Sequence, residues 1–103
     1  MKTYYTNDNK KYEYEFDEKV EYENSDDDLI LINNKTNKTL IFNCTAKHIY
    51  NKLVENDHIS CEIVFNDIIK QYESITDEEI VDLKSEIDKI FFMLKEQNII
   101  FIV

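Results

Sequence analysis

The stretch "DLILINNKTNKTLIFN", residues 28–43, decides how the rest of the chain is interpreted. Two short apolar runs, 29–32 and 39–42, flank a polar segment of Asn, Lys and Thr, a pattern that predicts a β-hairpin. A strand with one face in water alternates apolar and polar residues, whereas these runs are apolar at successive positions. The sequence therefore predicts that both faces of the hairpin are covered, either by the protein's own core or by a partner.

The residues before the hairpin show a period of two. Five apolar residues all fall at even positions and have carboxylates next to them, which predicts one or two half-buried strands. They are Tyr12, Tyr14, Phe16, Val20 and Tyr22. The other interpretation of residues 11–17 is an acidic, solvated tail. Residues 24–28, "NSDDD", are predicted to form a turn, and the polar residues 1–10 are expected to be flexible. Because the chain has no Gly and no Pro, Asn and Asp must supply its turns.

After Asn43 the period changes to 3.6, which indicates helices over 44–54, 61–72 and 77–97. Asn43, Ser60 and Thr76 are placed to cap their N-termini, and Glu79 completes a capping box with Thr76. The last six residues, "NIIFIV", are predicted to form a strand or an extended packed tail. The order predicts an α+β fold, in which a three-stranded antiparallel sheet is followed by a three-helix, winged-helix-like unit. At 103 residues, the chain is expected to form a single domain.

Charge and hydropathy limit the classes of partner. With 22 acidic and 12 basic residues, the formal net charge is -10, which disfavours a polyphosphate partner. Residues 44–72 could form a DNA-binding helix-turn-helix, but the second helix is acidic, so no nucleic acid is expected. No apolar run could span a bilayer and no apolar signal segment is visible, so no membrane contact and a cytoplasmic location are expected.

Two cysteines and two histidines are the candidates for metal binding or nucleophilic catalysis. Cys44 and His48 lie four residues apart, and His58 and Cys61 lie three apart, so a zinc site can be drawn from them. Neither pair has the C-x-x-C spacing, however, and Cys61 falls on the apolar stripe of its helix, which is typical of a buried free cysteine. The only candidate dyad, Cys44 with His48, is interpreted as a cap neighbour and a solvent-facing imidazole. We therefore expect no enzyme activity, no metal and no cofactor.

The order of several segments resembles the PqqD-like proteins, which are recognition elements for ribosomally synthesised, post-translationally modified peptides. The matching segments are "LILIN" (29–33), "TLIFN" (39–43), "TAKHIYNKL" (45–53), "ITDEEI" (75–80) and "IDKIFFMLKEQNII" (87–100). The resemblance covers about residues 20–101. The chain departs from the family in lacking a Gly in the hairpin turn and in having Cys44 after the second strand.

The resemblance implies a winged-helix-like, non-catalytic domain that binds the leader of a precursor peptide and presents it to a modifying enzyme, such as a radical maturase. In the family the leader adds a strand to the third strand and lies between that strand and the third helix. Carried onto this sequence, the implied peptide-binding residues are Lys38, Thr39, Leu40, Ile41, Phe42, Lys84, Ile87, Asp88 and Phe91. Acidic residues at the rim of such a groove would favour a leader that contains Lys or Arg.

Two other functions remain open from sequence alone. One is a winged-helix transcription regulator that contacts DNA or protein. The other is a subunit whose apolar sheet surface closes a homodimer.

Overall fold

The computed structural model describes residues 1–18, 20–24 and 28–103, and these residues form two sheets and three helices. The strands are β1 (Lys2–Tyr5), β2 (Lys11–Phe16), β3 (Val20–Asn24), β4 (Leu29–Asn33), β5 (Lys38–Phe42), β6 (His58–Ser60) and β7 (Ile100–Ile102). The helices are α1 (Cys44–Glu55), α2 (Cys61–Ile69) and α3 (Asp77–Glu96). The predicted α+β class, with a three-stranded antiparallel sheet followed by three helices, is confirmed. None of the described helices has both the length and the apolar character needed to cross a membrane.

The predicted hairpin is β4 and β5, which pair antiparallel from Leu29 opposite Phe42 to Asn33 opposite Lys38. The side chain of Asn33 shapes the turn, because its Oδ1 accepts the backbone N–H of Lys35 at 3.0 Å. At the end of the turn Asn37 has φ 57°, a left-handed conformation that Asn tolerates better than most residues. The strand β3 pairs with the other side of β4, giving the order β3-β4-β5.

All three predicted helix starts are confirmed by capping hydrogen bonds. Asn43 Oδ1 accepts the N–H of Ala46, Ser60 Oγ accepts that of Ile63, and Thr76 forms the reciprocal capping box with Glu79. The α2 helix is shorter than predicted and ends at Ile69, after which the chain continues in tight turns. The predicted turn 24–28 lies largely outside the described residues.

A second sheet, ordered β6-β1-β2-β7, was not predicted, and it corrects the expectation that residues 1–10 are flexible. The strand β1 pairs antiparallel with β2 and parallel with β6, and Tyr4 at its centre is fully buried. The connecting turn is closed by the N–H of Thr6, which donates to the carbonyl of Lys10 at 3.0 Å. The polar composition of residues 1–10 gives no sign of this strand. The strand is stabilised by one fully buried aromatic residue, Tyr4, and by pairing with strands elsewhere in the sequence.

Both sheets and all three helices contribute to one hydrophobic cluster. Its fully buried members include Tyr14 from the second sheet, Leu31 from the hairpin sheet, and Ile49 and Leu94 from the helices. The backbone N–H of Asp17 donates to the carbonyl of Ile99 at 2.9 Å, which ties the link between the two sheets to the residue that precedes β7. The core thus holds the hairpin sheet against the helices by its inner face.

The outer face of the hairpin sheet answers the question raised by the unbroken apolar runs. Residues paired across strands share a face, so Glu23, Ile30 and Ile41 form one row of this face, beside a row of Glu21, Ile32 and Thr39. Ile30 and Ile32 are half-buried, whereas 68% of the Ile41 surface is exposed. The core covers the inner face, and this chain leaves Ile41 on the outer face uncovered, so of the two predicted alternatives the protein's own core does not apply to Ile41.

Candidate functional site

The edge strand β5 is the first part of the candidate site. Within the described residues it pairs only with β4, so the other edge of its backbone is open. Its side chains alternate: Leu40 and Phe42 turn toward the core, while Thr39 and Ile41 lie on the outer face. An edge of this kind presents unpaired N–H and C=O groups to which an extended peptide can add as a further strand.

The charge around β5 differs from that of the chain as a whole. Residues 29–54 contain four lysines and no carboxylate side chain, although the net charge of the chain is -10. Lys35 in the turn and Lys38 at the start of β5 are both exposed. Sequence reasoning missed Lys35, yet the gap in the distribution of acidic residues could have identified it. The acidic rim that would favour a basic leader is absent from β5 itself.

The four helix residues implied by the resemblance lie on a side of α3 that the protein's own chain covers. The ammonium of Lys84 lies 4.9 Å from the centroid of the Phe65 ring on α2, and Ile87 is fully buried. Phe91 is also fully buried, and its ring stacks on Tyr4 with centroids 4.2 Å apart. Tyr4 therefore occupies the aromatic face that a leader was expected to contact.

Asp88, the fourth of these residues, is held by the N-terminal hairpin. Its carboxylate accepts the Tyr4 hydroxyl at 2.6 Å and the backbone N–H of Asn7 at 3.0 Å. Burial, together with the bond to Asp88, raises the pKa of Tyr4 well above its usual value. Two cavities of about 430 and 280 Å³ lie beside Asp88 and share Asn7 and Phe92, and neither is lined by a residue of β5. Neither of these two cavities joins the predicted strand residues to the predicted helix residues.

Two smaller cavities lie beyond the C-terminal end of β5. The first, of about 180 Å³, is lined by residues that include Cys44 and Tyr72. The second, of about 190 Å³, is lined by Tyr72, Ile75 and Leu83 together with three carboxylate side chains, those of Glu79, Asp82 and Glu86. Because both cavities include Tyr72, they are neighbours, the first beside the start of α1 and the second beside the first half of α3.

The cysteine and histidine residues do not converge. His48 Nε2 lies 2.9 Å from Asp67 Oδ2, which also accepts Lys52 Nζ at 3.1 Å, so the imidazole links α1 to α2 and is not simply solvent-facing. The hydrogen bond from Lys52 lowers the pKa of Asp67. Cys61 is buried, and its thiol donates to the carbonyl of Lys84 at 3.4 Å. Among the described residues, no three His, Cys, Asp or Glu side chains are placed to hold a metal ion.

No family model matches this sequence, and no curated protein matches it significantly. Two solved structures share its fold. TbiB1 in complex with the TbiA(beta) leader peptide has a TM-score of 0.67 and 14% identity, over 84% of this chain and 93% of that one. Lasso peptide synthetase B1 complexed with the leader peptide has a TM-score of 0.70 and 20% identity, over 86% of this chain and 98% of that one.

The fold is that of lasso peptide synthetase B1. The architecture implied by the resemblance to PqqD-like proteins is therefore confirmed. Lasso peptide synthetase B1 was solved with a leader peptide bound, and so was TbiB1. In this chain, the same fold places an open edge strand next to the first helix.

Proposed function

We propose that this protein is a non-catalytic adaptor that binds the leader segment of a ribosomally synthesised precursor peptide. The open edge of β5 carries the proposal, because it offers five residues for strand addition in a fold whose two solved relatives hold leader peptides. The adaptor would present the rest of the precursor to a separate modifying enzyme in the cytoplasm.

Among the sheet edges, β5 is the best suited to accept a peptide strand. The other edge of its sheet, β3, carries Glu21 and Glu23, and charged side chains are a common protection against strand addition. The edges of the second sheet, β6 and β7, are only three residues long. By contrast, β5 has five residues, no carboxylate, and an exposed Ile41 that would gain an apolar neighbour on peptide binding.

Strand addition would divide the leader's side chains between two environments. Alternate side chains would lie next to Leu40 and Phe42 on the inner side, and next to Thr39 and Ile41 on the outer side. Backbone hydrogen bonds would supply affinity, and these side-chain contacts would supply specificity. A leader that continues past Phe42 reaches the cavity at Cys44, so the two small cavities are proposed as its path toward α3.

The predicted helix residues belong to the proposal in different ways. Lys84 and Asp88 are partly exposed and could contact a peptide without a change in the core. Ile87 and Phe91 are fully buried, and contact of a leader with Phe91 would require Tyr4 to leave its place on that ring. The other two functions left open by the sequence gain no specific support, and α2 has Glu62 and Asp67 but neither Lys nor Arg.

The test is a titration of the isotopically labelled, full-length protein with synthetic peptides that cover the short open reading frames flanking its gene. We expect one peptide to bind and to protect amide hydrogens of residues 38–42 from exchange. Ile41 and Val81 are a matched pair for mutation, with 68% and 65% of their surfaces exposed. Ile41→Ser should weaken binding up to about tenfold through lost apolar burial, and Val81→Ser should have no effect.

Two results would contradict the proposal. In one, a peptide binds but the protected amides lie outside β5 and its immediate neighbours. In the other, Ile41→Ser and Val81→Ser change the affinity equally although both variants retain the wild-type melting curve. A chemical change in the bound peptide without any added enzyme would contradict the non-catalytic role alone.

A further inference from the structure

We infer that the leader carries carboxylate side chains at the end that lies beside Lys35 and Lys38, even though the protein itself has a net charge of -10. The inference rests on the proposed function and adds the chemical class of the peptide to it. It also reverses the expectation of a basic leader, which had assumed that the acidic character of the chain extends to the binding edge.

The lysines at the start of β5 stand apart from the rest of the surface charge. Lys35 and Lys38 are exposed, and the structure places no carboxylate of the described residues within ion-pair distance of either ammonium. Lys10 and Lys52, by comparison, have carboxylate partners at 3.6 and 3.1 Å. Lys35 and Lys38 are thus available to form ion pairs with carboxylates of a partner.

The opposite end of the edge has the opposite sign. Asp28 directly precedes Leu29, which pairs with Phe42 at the C-terminal end of β5. The second cavity on the proposed path, near α3, is lined by Glu79, Asp82 and Glu86. The edge is therefore basic at the hairpin turn and acidic beyond Phe42. This difference in charge between the two ends of the edge would favour one direction of binding for a peptide strand that carries carboxylates at only one of its ends.

Screening decides whether the local lysines or the overall charge controls binding. At physiological ionic strength the Debye length is about 8 Å, so distant carboxylates act weakly on a peptide at β5, whereas contacts with the two lysines persist. At about 0.01 M salt the Debye length rises to about 30 Å, well above the 13.7 Å radius of gyration, and the whole negative charge repels an acidic peptide. Affinity for an acidic peptide should therefore be highest at intermediate salt.

The experiment uses a random 15-residue peptide library, selected by display against the full-length protein at 0.15 M salt. Selected peptides are synthesised, tested for protection of the β5 amides, and measured again with each Asp or Glu changed to its amide. The protein variants are Lys38→Glu and, as a control with the same charge change, Lys89→Glu on the exposed side of α3. Melting curves establish that both variants fold.

We expect the peptides that protect β5 to be enriched in Asp and Glu. Lys38→Glu should weaken them about three- to tenfold at 0.15 M salt and less at 1 M, and Lys89→Glu should change affinity less than twofold. For a peptide in which the carboxylate that contacts Lys38 is replaced by an amide, Lys38→Glu should change the affinity much less. Peptides that protect β5 without acidic enrichment, with equal effects of the two variants, would overturn the inference and leave the proposed function standing. Failure of every selected peptide to protect β5 would overturn both.

Discussion

Removing one hydroxyl group tests whether the N-terminal strand is docked on α3. Tyr4 is fully buried, its ring stacks on Phe91, and its hydroxyl donates to Asp88 at 2.6 Å. Tyr4→Phe keeps the stacked ring and removes only the hydrogen bond, whose partner is a carboxylate. Hydrogen bonds to charged groups contribute about 1.5–3 kcal/mol, and the N–H of Asn7 continues to satisfy part of the Asp88 carboxylate. We therefore expect the free energy of unfolding to fall by about 1.5–2 kcal/mol.

The assay is urea unfolding followed by circular dichroism, with the midpoint and the m-value determined separately. Tyr4→Phe should lower the midpoint at an unchanged m-value, and in a chain of this size the melting temperature should fall by about 6–15 °C. Tyr5→Phe is the matched control, because this neighbouring ring is 38% exposed on the opposite face of β1. Its effect should remain within about 0.5 kcal/mol.

Equal stabilities of the Tyr4→Phe and Tyr5→Phe variants would refute the reasoning. In that case β1 would not be held on α3, and the expectation of a flexible N-terminus would be correct. Phe91 would then lose the ring that stacks on it and keep its contacts with Tyr12 and Tyr14, and its stacked face would be available to a leader, as the resemblance to PqqD-like proteins implies. The same pair of variants thus decides between a covered and an available helix face.

Four further measurements address individual residues. In native protein at pH 8, a thiol reagent should modify the exposed Cys44 quickly and the buried Cys61 only after unfolding, because burial raises the pKa of Cys61 to about 11. For the same reason stability should fall as pH rises from about 9 to 11, where the unfolded thiol ionises first, and Cys61→Ala should reduce this fall. The pKa of Asp67 is lowered in the folded protein, so its contribution should be present at neutral pH, decrease as pH falls below about 4, and disappear in Asp67→Asn, as acid titration of unfolding would show. Asn37→Gly should preserve or raise the melting temperature by relieving the φ of 57°, whereas Asn37→Ala should destabilise by about 1 kcal/mol.

Local signals in the sequence were sufficient for the helices and the hairpin. The caps at Asn43, Ser60 and Thr76 are formed by side chains within three residues of the groups they satisfy, so short-range patterns identify them. The hairpin likewise depends on neighbouring runs and on the turn between them. The strands β1 and β6 depend on contacts far along the chain, such as the parallel pairing of Tyr4 with Ile59, and for the strand-like residues of β7 the distant partner β2 was likewise not predicted. Nothing in a window of a few residues records such a pairing.

The candidate site was predictable on its strand side and less so on its helix side. The strand β5 is the second strand of the predicted hairpin and directly precedes a predicted helix, so its position follows from the order of the elements. The resemblance to PqqD-like proteins implies the same strand as the peptide-binding edge. The stripe around Ile87 and Phe91 is apolar, but periodicity cannot show which neighbour covers it. The covering group is Tyr4, in a segment that looked too polar to fold. Whether the nine implied residues bind a peptide stays a prediction.

The open edge of β5 has a consequence for the protein when no peptide is bound. A strand that accepts a leader can also accept the same strand of a second copy, and Ile41 would then become the centre of an intermolecular sheet. Antiparallel pairing of two such edges would bring Lys35 and Lys38 of each copy toward the far end of the other, where Asp28 precedes the strand paired with Phe42, so the charges would not oppose this pairing. The leader proposed to bind β5 would compete with this pairing. If the edge does pair in this way, the free protein would self-associate as its concentration rises. The protein with a peptide bound at β5 would stay monomeric, so the amount of precursor peptide would control the solubility of the protein.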